Sequence, residues 1–313
     1  MKYDLICVGT ALADCIVKGF RPEPVSASGY VASSCSLSAG GEAVNAALAA
    51  AKLGLKTGIV CAAGGDEAGE MVRGALRRGG VDILNAPPGA ATPVTVMFVR
   101  GDGTRRSITN EAHRFNFHPE REPSAFTNAR VLMLGSLFRA PFDDPGIVRS
   151  VLEAAKDAGQ TVIADTKLPN FRILKTEDLR CSLPLIDYLT PNEDEARHFT
   201  GKDDPDAMAE TLLGLGVKRV ILKLGEKGCL LKTPEKTVRL PAYAIWAEDS
   251  TGAGDNFAAG FVSELLRGRT EEEALLFASA CGAICASAVG AGTGLRDREQ
   301  VLGFMAETPF RGA

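Results

Sequence analysis

Two carboxylates bracket a run of small residues in the stretch Asp249, Ser250, Thr251, Gly252, Ala253, Gly254, Asp255, and an apolar helix-forming run follows at once. Small residues let the backbone approach a ligand closely. A helix opening near Gly254 aims its unbonded N–H groups and its positive dipole end at that space. That combination is an anion site. It is not a Walker loop, because G-x-x-x-x-G-K-[ST] is absent from the chain. An acid inside an anion cradle should repel phosphate. Both features make sense together if Asp255 takes a proton from an attacking hydroxyl while the N–H groups hold a transferring phosphoryl group. The same acid in a first helical turn also complements the dipole with no ligand present. The pattern alone leaves both readings open.

Such a turn needs a scaffold. Short β-branched runs at 5–8, 57–64, 130–136, 161–165, 187–192 and 219–225 alternate with helical patterns at 42–53, 67–78, 146–158, 192–199, 206–215, 254–267 and 271–289. Gly54 stands where a helix-ending glycine belongs. This alternation predicts an α/β fold: a doubly wound, mostly parallel sheet with helices on both faces. Ligands then bind beyond the carboxyl ends of the strands. Two stretches break the pattern, approximately 14–37 and 92–110. The second reads as a hairpin turning at Gly101-Asp102-Gly103. Together they predict a small β-sheet lid inserted in one domain that spans 1–313. The final stretch, Thr308 to Ala313, reads as a loose tail.

Composition narrows the function classes. The 313 residues, 45% hydrophobic and 24% charged, are those of an ordinary globular protein. A net charge of −4 offers no bulk attraction for nucleic acid or a membrane surface. One Trp and four Tyr make a poor stacking platform for single-stranded nucleic acid. The eight cysteines include no C-x-x-C, and the three histidines are scattered, which argues against a zinc site. Reduced thiols suit the cytoplasm. The N-terminus is a poor signal peptide, since Asp4 interrupts it and Asp14 precedes Cys15. No apolar run reaches membrane-spanning length.

The stretch 249–255 closely resembles the D-T-x-G-A-G-D signature of the ribokinase-like (PfkB) carbohydrate kinase family, with Ser250 for the usual Thr. Gly40 to Gly54 resembles that family's N-terminal signature, and Gly64, Asp66 and Gly69 follow it as G-x-D-x-x-G. Asn192 and Glu195 match its N-x-x-E, and Lys223, Gly225 and Gly228 its nucleotide loop. The resemblance implies a ribokinase-like fold and an ATP-dependent sugar kinase using Mg²⁺. It implies Asp255 as catalytic base, with Gly252, Ala253 and Gly254 as the anion hole. Asp14, Gly41 and Asn45 would hold sugar hydroxyls. Asn192 and Glu195 would act near Mg²⁺ and the ATP phosphates, Glu195 through water. Lys223, Gly225 and Gly228 would lie along the nucleotide. Asp249 and the late loop 287–295 would surround a monovalent cation such as K⁺.

Each role has an ordinary counterpart. Asn192 with Glu195 is a good capping box. Asn45 is unfavourable in an Ala-rich helix, so its amide needs a partner. Asp14 could cap a turn, and Gly225 and Gly228 could be hairpin glycines. Cys281 and Cys285, one helical turn apart, read as helix packing.

Rival functions fail at definite places. A dehydrogenase needs G-x-G-x-x-G after the first strand, where this chain reads Thr10, Ala11, Leu12. A hydrolase needs G-x-S-x-G, which is absent. A non-catalytic sugar or nucleotide sensor would have no need of Asp255. The acceptor is open between a sugar and a sugar acid, with a nucleoside as the alternative. Arg100, Arg105, Arg106, Arg114, Arg139, Lys167 and Arg172 read as a solvated basic rim, or as readers of a carboxylate through Arg105. A nucleoside would want aromatic walls, for which the lid offers Tyr30, Phe98, Phe115 and Phe117. Exposed lid edges suit pairing into a homodimer.

Overall fold

The computed structural model describes residues 1–19, 31–85, 91–100, 105–110, 117–170 and 172–312. Third from one edge of its main sheet, between two parallel neighbours, lies β1 (Tyr3–Val8). Leu5, Ile6, Cys7 and Val8 are each fully buried. Such an unbroken apolar run belongs in a parallel sheet covered on both faces. Alternation sends Leu5 and Cys7 into one core and Ile6 and Val8 into the other.

On one side of β1 come β4 (Thr57–Val60) and β5 (Asp82–Ile83). On the other come β8 (Ala129–Leu137), β9 (Thr161–Thr166), β10 (Tyr188–Leu189) and β11 (Val220–Lys223), all parallel. Two antiparallel strands, β12 (Cys229–Lys232) and β13 (Thr237–Leu240), close that edge. Helices α1 (Glu42–Lys52), α2 (Glu67–Arg78), α6 (Ala253–Leu266), α7 (Glu271–Ala286) and α8 (Arg298–Glu307) contribute to the first core. Helices α3 (Pro145–Asp157), α4 (Glu193–Thr200) and α5 (Pro205–Gly214) pack on the opposite face.

The second sheet has the order β3 (Ser34–Gly40), β2 (Leu12–Lys18), β6 (Val94–Val99), β7 (Arg105–Thr109). Strands β6 and β7 form the expected hairpin, whose turn lies outside the described residues. Strand β2 pairs antiparallel with β3 and parallel with β6, so the sheet is mixed.

Several boundaries differ from the sequence reading for physical reasons. Strand β4 stops at Val60 because the Asn85 side chain takes both backbone groups of Cys61. Strand β10 keeps two residues of the expected six, since Pro191 has no N–H and Asn192 turns to cap α4. Helix α8 was not anticipated; Asp297 caps it by accepting from Gln300 N. The stretch after it is not a loose tail. Phe310 stacks on Tyr243 with ring centroids 4.7 Å apart. Arg311 N donates to Ala242 O, and its guanidinium pairs with Glu226 at 2.7 Å. Phe117 belongs to the core beside Phe142, at 6.3 Å edge-to-face, and not to a lid wall. Cys281 and Cys285 are buried in α7, as expected of packing residues. Among the described residues no helix is long and apolar enough to cross a membrane.

Helix α6, which carries Asp255, is anchored at its far end. Glu264 is 3% exposed, and its carboxylate accepts two bonds of 2.8 Å from the Arg298 fork. Among the described residues, Arg298→Ala would leave that carboxylate buried with only Arg267, 4.0 Å away, as a partner. The expected cost is about 3 kcal/mol in urea unfolding. Removing both charges, as Glu264→Leu with Arg298→Met, should recover most of it. An unchanged urea midpoint in Arg298→Ala would contradict the anchor.

Candidate active site

A cavity of about 880 Å³ opens between the second sheet and the carboxyl ends of the main strands. Asp14 and Thr95 line one end, Gly225 and Tyr243 the other, and Gly252 to Asp255 lie between. The turn before α6 is fixed by its own polar side chains. Asp249 Oδ1 accepts from Thr251 N at 3.0 Å and Thr251 Oγ1 at 2.6 Å. Asp249 Oδ2 accepts from Gly290 N at 3.0 Å, tying the turn to the loop after α7. Asn256 Nδ2 reaches Gly252 O and Ala291 O at 2.8 and 2.9 Å. Gly252 has φ +77°, and a Cβ there would lie 2.5 Å from Ala291 Cβ. Only glycine satisfies both constraints.

Asp255 is 8% exposed and accepts from Asn45 Nδ2 at 2.8 Å through Oδ2. Asp255 is thus the partner that the Asn45 amide needs. Burial pushes the Asp255 carboxyl up to about 7; the Glu42 charge adds to this and Lys167 opposes it. A group poised there is charged or neutral near neutral pH, as a general base requires. Gly41 precedes α1 with φ +101°, where a Cβ would fall 2.3 Å from Thr10 O. Asp14 lies in β2, and burial followed by the Glu42 charge raises it to about 6.

On the opposite side of Asp255, Asn192 and Glu195 form the expected capping box, with bonds of 2.9 and 3.0 Å. Thr166 Oγ1 also donates to Glu195, at 2.8 Å. Lys223 Nζ pairs with Asp165 at 2.7 Å, and Thr190 donates to the same oxygen at 2.9 Å. Gly225 and Gly228 form the turn between β11 and β12. A Cβ on Gly228 would sit 1.9 Å from Leu240 O. These glycines are hairpin residues and line the cavity as well. Burial and the Asp165 charge push Glu195 upward. Mg²⁺ needs few protein ligands, so a single buried carboxylate such as Glu195 could hold it through water.

The basic residues separate. Arg105 opens β7 opposite Val99, with its side chain outside the described residues, and Arg114 lies outside them too. Arg100 and Arg106 are exposed. Arg139 lines the cavity while bonding to Leu168 O at 2.8 Å, and Arg172 pairs with Asp144 at 3.2 Å. Lys167 lines the cavity and pairs with Glu42 at 3.0 Å. Tyr30 and Phe115 lie outside the described residues.

Sequence reasoning missed Glu42, Ser136 and Asp165. Asp165 ends a strand, where ligand-facing residues belong. Glu42 looks like any first-turn acid, and nothing local marks Ser136.

The raised Asp255 carboxyl ties stability to pH. Its folded-state affinity for a proton exceeds that of an ordinary carboxylate. Its stabilising contribution is therefore full below the ordinary carboxylate range and is lost as pH rises through about 7. Asp255→Asn removes this loss. The melting temperature of the variant should gain on the native chain between pH 4 and pH 8. Parallel curves would contradict the assignment.

Comparison with known proteins agrees with the geometry. The model of the pfkB family carbohydrate kinases matches residues 2–298. A ribokinase of Arabidopsis thaliana is 32% identical over 321 residues, covering 95% of this chain and 80% of its own. A ribokinase of Haemophilus influenzae is 27% identical over 271 residues, covering 85% and 87%. The structure of Arabidopsis thaliana ribokinase complexed with ribose and ATP superposes with a TM-score of 0.83 at 29% identity, covering 97% of this chain and 99% of that one. With its turn, acid and two-ended cavity in place, the chain belongs to the pfkB family of carbohydrate kinases.

Proposed function

We propose that the protein transfers the γ-phosphoryl group of ATP to a primary hydroxyl of a monosaccharide, with Asp255 as the base. The observation that carries this is the placement of Asp255: buried, raised to about 7, and in the first turn of α6 between the two ends of one cavity. Asp14, Gly41 and Asn45 would hold the acceptor beside it. The acceptor oxygen attacks the γ-phosphorus as the bond to the ADP oxygen breaks, and the hydroxyl proton passes to Asp255. The first turn of α6, Gly252 to Gly254, would receive the equatorial oxygens. Lys223, Gly225, Gly228 and Asn192 would lie along the nucleotide. Mg²⁺, held through water near Glu195, would neutralise phosphate charge.

The acceptor end of the cavity carries the Asp14 carboxylate, and Glu42 near it binds Lys167. That balance favours a neutral sugar over a sugar acid. The sugar-acid version rests on Arg105. The second sheet would serve as the lid within one domain over 1–313, closing to exclude water. Leu37 and Ile108, 70% and 67% exposed on its outer strands, would meet a second copy. The free thiols suit a cytoplasmic setting. A monovalent cation such as K⁺ would sit by Asp249 and the loop it holds.

Release of ADP should be measured across sugars, sugar acids and nucleosides, beginning with ribose and fructose, for which relatives are named. Activity with a sugar, falling by about 10²-fold or more in Asp255→Asn, is expected. Undiminished turnover in that variant would overturn the base. Turnover of a sugar acid that collapses in Arg105→Ala would replace the neutral acceptor, and an unaltered rate without K⁺ would remove the cation. Leu37→Lys should shift a dimer to monomer in sedimentation; a native monomer would end the lid-pairing proposal.

A further inference from the structure

The mechanism above leaves one charged cluster in the cavity without a task. Lys167 follows the end of β9 and Glu42 opens α1, and they pair at 3.0 Å. Ser136, at the end of β8, donates to Glu42 Oε2 at 2.5 Å. Ser136 is 1% exposed and has φ +63°, a left-handed conformation that a non-glycine residue adopts at a cost. Three separate elements thus converge to fix one ammonium group. Burial alone would raise the Glu42 carboxyl, but the Lys167 charge and the Ser136 hydroxyl outweigh it and hold it at about 2. The pair is therefore ionised throughout the working range.

The location of this ammonium is informative. Lys167, Asp255 and Glu195 line the same cavity, and the ammonium charge bears on both carboxyls. The phosphoryl group must pass between those two residues if they are base and magnesium-side acid. The second cavity lysine, Lys223, is bound to Asp165 at 2.7 Å, and its Nζ lies 3.0 Å from where a Gly254 Cβ would be. It is committed to the nucleotide side.

We propose that Lys167 meets the γ-phosphoryl group during transfer, and that Glu42 and Ser136 are the positioning residues that hold it there. This rests on the phosphoryl-transfer reading. An ammonium at that point offsets charge on the equatorial oxygens while it opposes the upward push on Asp255. The groups facing Asp255 are Glu42 from α1, Asp165 and Lys167 from the end of β9, the thiol of Cys7 from β1 and the thiol of Cys285 from α7. Burial keeps both thiols protonated. Glu42 and Lys167 act on Asp255 with opposite signs.

Two measurements decide this without turnover. The first is calorimetric titration of Mg²⁺ with AMP-PNP and with ADP. Lys167→Met should lose about tenfold in affinity for AMP-PNP, the scale of one charge-assisted hydrogen bond, with ADP affinity unchanged. Lys167→Arg should keep the preference. Equal losses for both nucleotides, or no binding of AMP-PNP to the native chain, would overturn the proposal. The second is the carboxyl ¹³C titration of Asp255. Its midpoint should rise in Lys167→Met and fall in Glu42→Gln; a midpoint unmoved in both would overturn it. If no acceptor is phosphorylated, the functional reading fails, while the nucleotide contrast still decides whether Lys167 reads a γ-phosphate.

Discussion

The rest of the site depends on keeping a carboxylate buried at a place built for anions. Asp255 sits in the first turn of α6, where the helix dipole favours its charge, yet removal from water and the nearby Glu42 work against it. The balance leaves the group near neutrality. Every neighbour adjusts that balance. Asn45 donates to it, Lys167 opposes its acidic surroundings, and Asp165 is turned toward Lys223. A more open site would leave an ordinary acid that holds protons weakly. A drier and less compensated one would leave an acid neutral well above pH 7.

The fold supplies that environment from distant parts of the chain. Asn45 and Asp255 are 210 residues apart in sequence, yet one hydrogen bond joins them. Helices α1 and α6 lie against each other over the first core. Asp249 and Asn256 then secure the turn to the loop after α7. At the other end of α6, Glu264 and Arg298 stop the helix from sliding. The acid is thus held at both ends of its helix and along one side.

Much of this was legible in the residues. The strand and helix alternation gave the main sheet, because central strands such as Leu5 to Val8 have no polar position to confuse the period. Gly252 and Asp255 stood out because glycine and acid have narrow roles at a helix start. Other features depend on pairings that local sequence does not carry. Glu42 looks like any first-turn acid until Lys167, 125 positions on, is seen beside it. Ser136 becomes informative only through its positive φ. The stretch 308–312 looked unanchored because its partners, Tyr243, Ala242 and Glu226, belong to another part of the chain. Phe117 was assigned to the wrong layer because a lone aromatic has no period.

The central claim is that Asp255 is the base and that its surroundings set its proton affinity. The pH dependence of kcat/KM for phosphoryl transfer by the native chain tests this most directly, since it reports the ionisation of the free enzyme. The account predicts a rate that climbs with pH and levels off above about 7, following the ionisation of Asp255. A rate already level from pH 5 upward would mean that the acid ionises like an ordinary surface carboxylate, and the account would be wrong.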